Sequence, residues 1–258
     1  MGYRTAVLTD VLRIAIRKNL RIHPGKDCKM AEIFRINAHT WGFEDGFVRF
    51  FLLEGEEKAV LIDSGVNCPN AAELAKTLTD KPLLLLNTHG DGDHTSATAA
   101  FSEIHMHPLD YYGCGVQERY PKTALAEVKD GDCIELGNRP LRLIHIPGHT
   151  CGSIAILDIR ERVLYAGDSV QKGYVYMFGD KRDPKQYGAS LDKLAAMSRE
   201  YDFIYASHDE FLLPSDYAGK VRKAWQQVLD NTAAYEVKDL FGNKVKAYFT
   251  EFCGFYME

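Results

Sequence analysis

No stretch of this chain stays apolar for more than about five residues, far short of what a membrane-crossing helix needs. The opening "MGYRTAVLTDVLRIAIRKNLRI" also lacks the uninterrupted apolar core and small-residue cleavage site of an export signal, because Arg13, Arg17 and Lys18 interrupt it. There is no block of Lys and Arg, and a net charge of −5 offers nothing to a polyanion, so nucleic acid is not an expected partner. The six cysteines include no C-x-x-C pair and read neither as a disulfide frame nor as a zinc knuckle. Free thiols in a reducing cytoplasm are the expectation. No linker, repeat or low-complexity segment divides the 258 residues, and a single domain over 1–258 is expected, away from any membrane.

What is present is a succession of short apolar runs bounded by turn residues. Strands are predicted at 32–38, 47–54 and 58–63, with "TWGFEDG" and "EGEE" as turns between them. A helix over 69–79 leads to a strand at 83–87, and the small residues 95–100 suit a further helix. "EIHMHP" reads as a short strand with a turn, and 111–123 as a loop or short helical turns. Strands at 132–136, 140–146, 153–158 and 162–166 follow, then a helix over 184–200, a strand at 203–206 and a helix over 215–233, with 244–250 closing a sheet. Val7, Leu8, Val11, Leu12, Ala15 and Ile16 fall at helical spacing and predict an amphipathic N-terminal extension, packed on the body or on a second copy as a homo-oligomer contact. Strand blocks flanked by helices imply an α/β sandwich with one continuous core.

The chemistry lies where these strands end, the usual place for it in open α/β architectures. "LLLL" runs directly into "NTHGDGDH", with His89, Asp91, Asp93 and His94. "IPGHTCGS" presents His149 after 140–146, "LYAGDS" presents Asp168 after 162–166, and "IYASHDE" presents His208 after 203–206. Taken alone, each has an ordinary reading as a turn residue or a satisfied strand-end histidine. All of them delivered from strand ends point instead to one metal-binding site.

The order His89-x-Asp91-x-Asp93-His94, then "PGHT", "GD" and "SH", with "DSG" at 63–65, resembles the metallo-β-lactamase superfamily. The resemblance runs from about residue 60 to His208. It implies a four-layer αββα sandwich with a dinuclear metal site along one edge. It also implies that His89, Asp91 and His149 hold the first metal, that Asp93, His94 and His208 hold the second, and that Asp168 lies between them. Two divalent metals are implied, zinc first, with iron or manganese as alternatives; imidazole and carboxylate suit all three. The implied activity is hydrolysis of an ester, thioester or lactone carbonyl of a small molecule by a hydroxide that the metals hold. Asp93 is the candidate to orient the water or accept a proton.

Three positions leave the family pattern. Asp91 stands where histidine is usual, and its added negative charge predicts a more neutral site that tolerates iron or manganese. "TSA" at 95–97 replaces a frequent glycine pair, and Asp209 follows His208 where glycine is common. In "DSVQKGYVYMFGDKRD", Tyr174, Tyr176 and Phe178 are candidate pocket walls, and Lys181 or Arg182 candidate partners for an anionic substrate group. His145 reads as a core histidine, and Cys151 has no neighbouring base to make it a nucleophile. The rival readings are a diiron enzyme reducing oxygen or nitric oxide with a separate electron donor, and a non-catalytic metal-binding protein.

Overall fold

In "VRFFLLE", "AVLI" and "IAILD" the side chains turn alternately to opposite faces of a sheet, and both faces are apolar. Such strands are stable only when covered on both sides. The computed structural model, which describes residues 31–258, shows how that is achieved. The predicted N-terminal helix lies outside the described residues.

The first sheet contains β1 (Glu32–Asn37), β2 (Thr40–Asp45), β3 (Val48–Glu54), β4 (Ala59–Ile62), β5 (Leu83–Leu86), β6 (Glu103–Met106) and β7 (Ala124–Glu127), side by side in chain order. The second has the order β14-β13-β11-β10-β9-β8. Its strands are β8 (Cys133–Glu135), β9 (Pro140–His145), β10 (Ile154–Asp158), β11 (Val163–Tyr165), β13 (Phe203–Tyr205) and β14 (Leu212–Pro214). Phe51, Leu53, Val60, Ile62 and Leu86 of the first sheet meet Leu141, Leu143, Ile154, Ile156 and Tyr165 of the second in a buried central layer. The alternate residues Phe50, Leu52, Ala59 and Leu61 face outward onto α1 (Ala71–Lys76) and the short helices α2 (Pro108–Gly113) and α3 (Val116–Arg119). Outside the second sheet, Ala155, Leu157, Leu164 and Ile204 pack under α4 (Pro184–Ala196) and α5 (Tyr217–Leu229). The layers are therefore α, β, β and α.

A third sheet, β12-β17-β16-β15, joins β12 (Tyr174–Tyr176) to β17 (Gly254–Met257), β16 (Asn243–Phe249) and β15 (Ala234–Leu240). It packs on the second helical layer, with Phe255 5.1 Å from Trp225.

The elements differ from the sequence reading in instructive ways. "TWGFED" is strand β2, not a turn. Gly42 is there because the Phe34 ring covers it: a Cβ would lie 2.1 Å from Phe34 Cζ. Asp45, the other turn-like residue, accepts from the backbone N–H of Val66 and Asn67. Residues 95–100 carry only a 3₁₀ turn, Thr98–Ala100. The helices expected over 69–79, 184–200 and 215–233 are shorter, and β7, β12, β14, β15 and β17 lie in segments whose sequence gave no strand signal.

Candidate metal centre

Strand direction gathers the site. β4 and β5 run parallel, so Asp63 and the 87–94 loop leave the first sheet on one side. β9 and β11 are both antiparallel to β10, and β11 is parallel to β13, so His149, Asp168 and His208 leave the second sheet together. Hydrogen bonds between the sheets then bring these loops face to face. Ile154 N–H donates to Thr88 O at 2.8 Å, and Arg49 N–H donates to Ser207 O at 2.7 Å. Arg49 also donates from its guanidinium to Ala206 O and Asp209 O, holding the loop that carries His208. Gly167 has φ +52, and a Cβ there would strike Thr88 Oγ1 at 2.8 Å, so glycine lets the Asp168 loop approach the His89 loop.

The hydrogen bonds decide which nitrogen of each histidine faces the centre. His149 Nδ1 lies 3.0 Å from Tyr176 O, and His208 Nδ1 lies 2.8 Å from Phe47 O. His94 Nδ1 meets Asp63 Oδ2 at 2.9 Å. His89 Nδ1 meets Thr88 Oγ1 at 3.0 Å, and that hydroxyl donates onward to Asp63 Oδ2. Every partner is an acceptor, so each ring holds a proton on Nδ1 and, in its neutral form, presents the lone pair of Nε2 inward. The Nε2 atoms of His89, His94 and His149 and Asp168 Oδ1 are buried with no hydrogen-bond partner. Buried nitrogen lone pairs without partners, on rings oriented from behind, fit a metal centre.

Asp93, His94, Asp168 and His208 each bring one atom into a cluster in which all lie within 4.8 Å of one another, and His89, His149 and Asp168 form a second such cluster. Asp168 is common to both. Its carboxylate is 3.1 Å from His94 Nε2, 3.1 Å from His208 Nε2 and 3.6 Å from His149 Nε2. Asp93 lies 3.6 Å from His94 Nε2 and 3.5 Å from His208 Nε2. Burial raises the Asp168 carboxyl, but His208 and His94 outweigh it and hold the group well below the usual carboxylate range. Burial and the charge of His94 push His89 well below its ordinary value.

Asp91 belongs to neither cluster of mutually close atoms. Its Oδ2 is 3.4 Å from His149 Nε2 and 3.8 Å from His89 Nε2, but only 2.6 Å from Arg182 Nη2. Burial works against ionisation here, yet the closeness of His149 and the charges of His89 and Arg182 keep Asp91 well below its ordinary value. The sequence reading offered Arg182 to the substrate, whereas the fold gives it to Asp91. Lys181 Nζ donates to Cys114 O at 3.2 Å and lines the cavity beside the centre. That cavity, about 760 Å³, is walled by Tyr174, Tyr176 and Tyr256, with Phe47 and Phe241 also lining it. The Phe178 ring lies 5.8 Å from that of Tyr176, tilted by 35°, and does not line this cavity. Asp209 rests against Gly173, and His145 Nε2–H donates to Cys151 O at 2.9 Å.

Two supporting carboxylates escaped the sequence reading as such. Asp63, strained at φ +62, receives Thr88 N–H, the Thr88 hydroxyl and His94 Nδ1–H. Its motif was visible in "DSG", but not its function as a brace. Asp110 is fully buried and accepts from Gly90 N–H, Gly152 N–H and the Thr150 hydroxyl, tying the His89 and His149 loops together. Nothing near Asp110 in the sequence marks it.

A sequence profile of the Metallo-beta-lactamase superfamily matches residues 44–208. The chain is 28% identical over 190 residues to a hydroxyacylglutathione hydrolase of Yersinia pestis (strain Pestoides F), covering 72% of this chain and 70% of that protein. It is 30% identical over 184 residues to the hydroxyacylglutathione hydrolase of Yersinia enterocolitica, covering 67% and 69%. Among solved structures, a metallo-beta-lactamase from Pontibacter korlensis superposes with a TM-score of 0.64 at 17% identity, covering 76% of this chain and 99% of that one. One from Erythrobacter litoralis gives 0.63 at 14%, covering 80% and 99%. The αββα sandwich expected from the sequence is the fold these structures share.

Proposed function

This chain belongs to the metallo-beta-lactamase superfamily, and from that premise we propose that it is a metal-dependent hydrolase of a small-molecule ester, thioester or lactone in the cytoplasm. The observation that carries the reading is the set of four histidines held from behind at Nδ1, with Nε2 directed at the shared carboxylate of Asp168. In this reading His89, Asp91 and His149 hold one divalent metal, Asp93, His94 and His208 hold another, and Asp168 lies between them. Four imidazoles and three carboxylates form a donor set for zinc, and also for iron or manganese. When bound, such ions acidify water to near-neutral pKa and polarise a carbonyl oxygen.

The chain's own residues do the rest. Asp93, half-buried at the cavity floor, orients the attacking water through a carboxylate oxygen and takes up its proton. Tyr174 and Tyr176 hold the acyl or leaving group against an apolar wall, and Lys181 meets an anionic end. The thioester class is favoured because the curated relatives cited above are named for a thioester-type substrate.

Protein purified without added metal is assayed for metal content and against a panel of esters, thioesters and lactones. About two equivalents of divalent metal and hydrolysis that a chelator abolishes and zinc restores are expected. Metal without hydrolysis, together with oxygen or nitric oxide consumption driven by a reductant, would overturn the reading in favour of diiron redox chemistry.

A further inference from the structure

Within the candidate centre one cation has no counterpart among the expected ligands. Arg182 lies on the loop between β12 and α4, largely buried, with Nη2 2.6 Å from Asp91 Oδ2. Its Nε and Nη1 are buried without acceptors. Among the described residues, Asp91 is thus the acceptor on which this guanidinium depends. The same Asp91 oxygen, Oδ2, lies 3.4 Å from His149 Nε2 and 3.8 Å from His89 Nε2.

We infer that Asp91 and Arg182 act as one unit, which stands in at the first metal position for a neutral ligand. The carboxylate contributes one negative charge, the guanidinium one positive charge, and their sum is that of an uncharged imidazole. Asp91 therefore leaves the total charge of the centre unaltered, contrary to what its presence in the sequence alone predicts. The pair also holds geometry, because the Nη2 donor fixes the position of Asp91 Oδ2, the oxygen nearest His149 and His89. Arg182 is a positioning residue: it reaches the metal position only through Asp91.

The consequence is counter-intuitive. Replacing Asp91 by the histidine usual in the family does not repair the site, because it strands a buried cation beside two divalent ions. Removing one partner of a buried pair leaves an uncompensated charge, whereas removing both does not. This inference rests on the metal-binding part of the proposed function and is independent of the substrate.

The test is a double-mutant cycle on zinc binding to the full chain, measured by equilibrium dialysis, with unfolding of each metal-free variant followed in parallel. Asp91→His is expected to weaken the second zinc equivalent by about 10- to 100-fold. Arg182→Met in the same chain is expected to recover most of that loss, to within about tenfold of the starting protein. Asp91→Asn with and without Arg182→Gln repeats the cycle with near-isosteric changes, in case histidine does not fit the loop. Rescue in either cycle supports the unit. Additive losses in a protein that binds two zinc ions would make Arg182 a loop strut and overturn this inference alone. A starting protein that binds one zinc or none would overturn the dinuclear reading along with it.

Discussion

Asp110 shows how much of this centre depends on side chains that never approach its middle. One carboxylate oxygen receives Gly152 N–H at 2.6 Å, and the other receives Gly90 N–H at 2.8 Å and the Thr150 hydroxyl at 2.6 Å. Burial raises its pKa despite these three donors, a sign of how little solvent reaches it. Asp110→Ala would leave the N–H groups of Gly90 and Gly152 buried and unpaired, each a desolvation penalty, while the Thr150 hydroxyl would keep Ser153 Oγ. The expected loss is at least about 3 kcal/mol in urea unfolding of the metal-free protein, with Asp110→Asn losing less because it keeps an acceptor. A loss under about 1 kcal/mol would mean that the two histidine loops hold their own conformations.

At the scale of elements, the β15–β16 hairpin carries a local conflict. Leu240 pairs with Asn243, so Phe241 and Gly242 form a two-residue turn, with φ +55 and +81. Turns of this hand favour Asn or Asp at the first position, because a bulky side chain strains there. Phe241 is nevertheless 84% exposed at the mouth of the cavity. Sites that break a local rule are expected to be functional ones. Phe241→Asn should stabilise the protein by about 1 kcal/mol in thermal unfolding. It should also raise KM for substrates with apolar acyl groups while leaving kcat nearly unchanged. An unaltered KM would remove Phe241 from the substrate wall.

For the molecule as a whole, two buried arginines join the sheets at opposite ends. Arg139 donates to Asp158 on β10, to Thr40 on β2 and to the carbonyls of His39 and Glu54, at the end away from the centre. Arg49 does the same at the near end, reaching the loop of His208. Their losses should therefore separate stability from metal binding. Arg139→Met, which strands Asp158, is expected to cost about 3–5 kcal/mol in stability with zinc stoichiometry intact. Arg49→Met should weaken zinc binding about 10-fold or more by releasing His208. Equal effects of the two on zinc affinity would show that the sheets move as one rigid body, and that neither arginine acts locally.

The apolar runs at Leu83–Leu86, Pro140–His145, Val163–Tyr165 and Phe203–Tyr205, each followed at once by histidine or aspartate, were legible in the sequence because strand period and strand-end chemistry are local signals. They determined the sandwich, the edge on which the centre lies and the residues that meet there. The "TWGFED" strand, the third sheet apart from its strand at 244–250, and the supports of the centre were not legible. Gly42 is tolerated in a strand only because Phe34 lies over it, Asp110 reaches two loops from a short helix between them, and Arg182 meets Asp91 across 91 residues of chain. Contacts of that kind have no period and leave no mark on their neighbours in sequence. Whether Asp91 adds a charge to the centre or belongs to a neutral pair was decided only by the chain's folding, which placed a guanidinium 2.6 Å from its carboxylate.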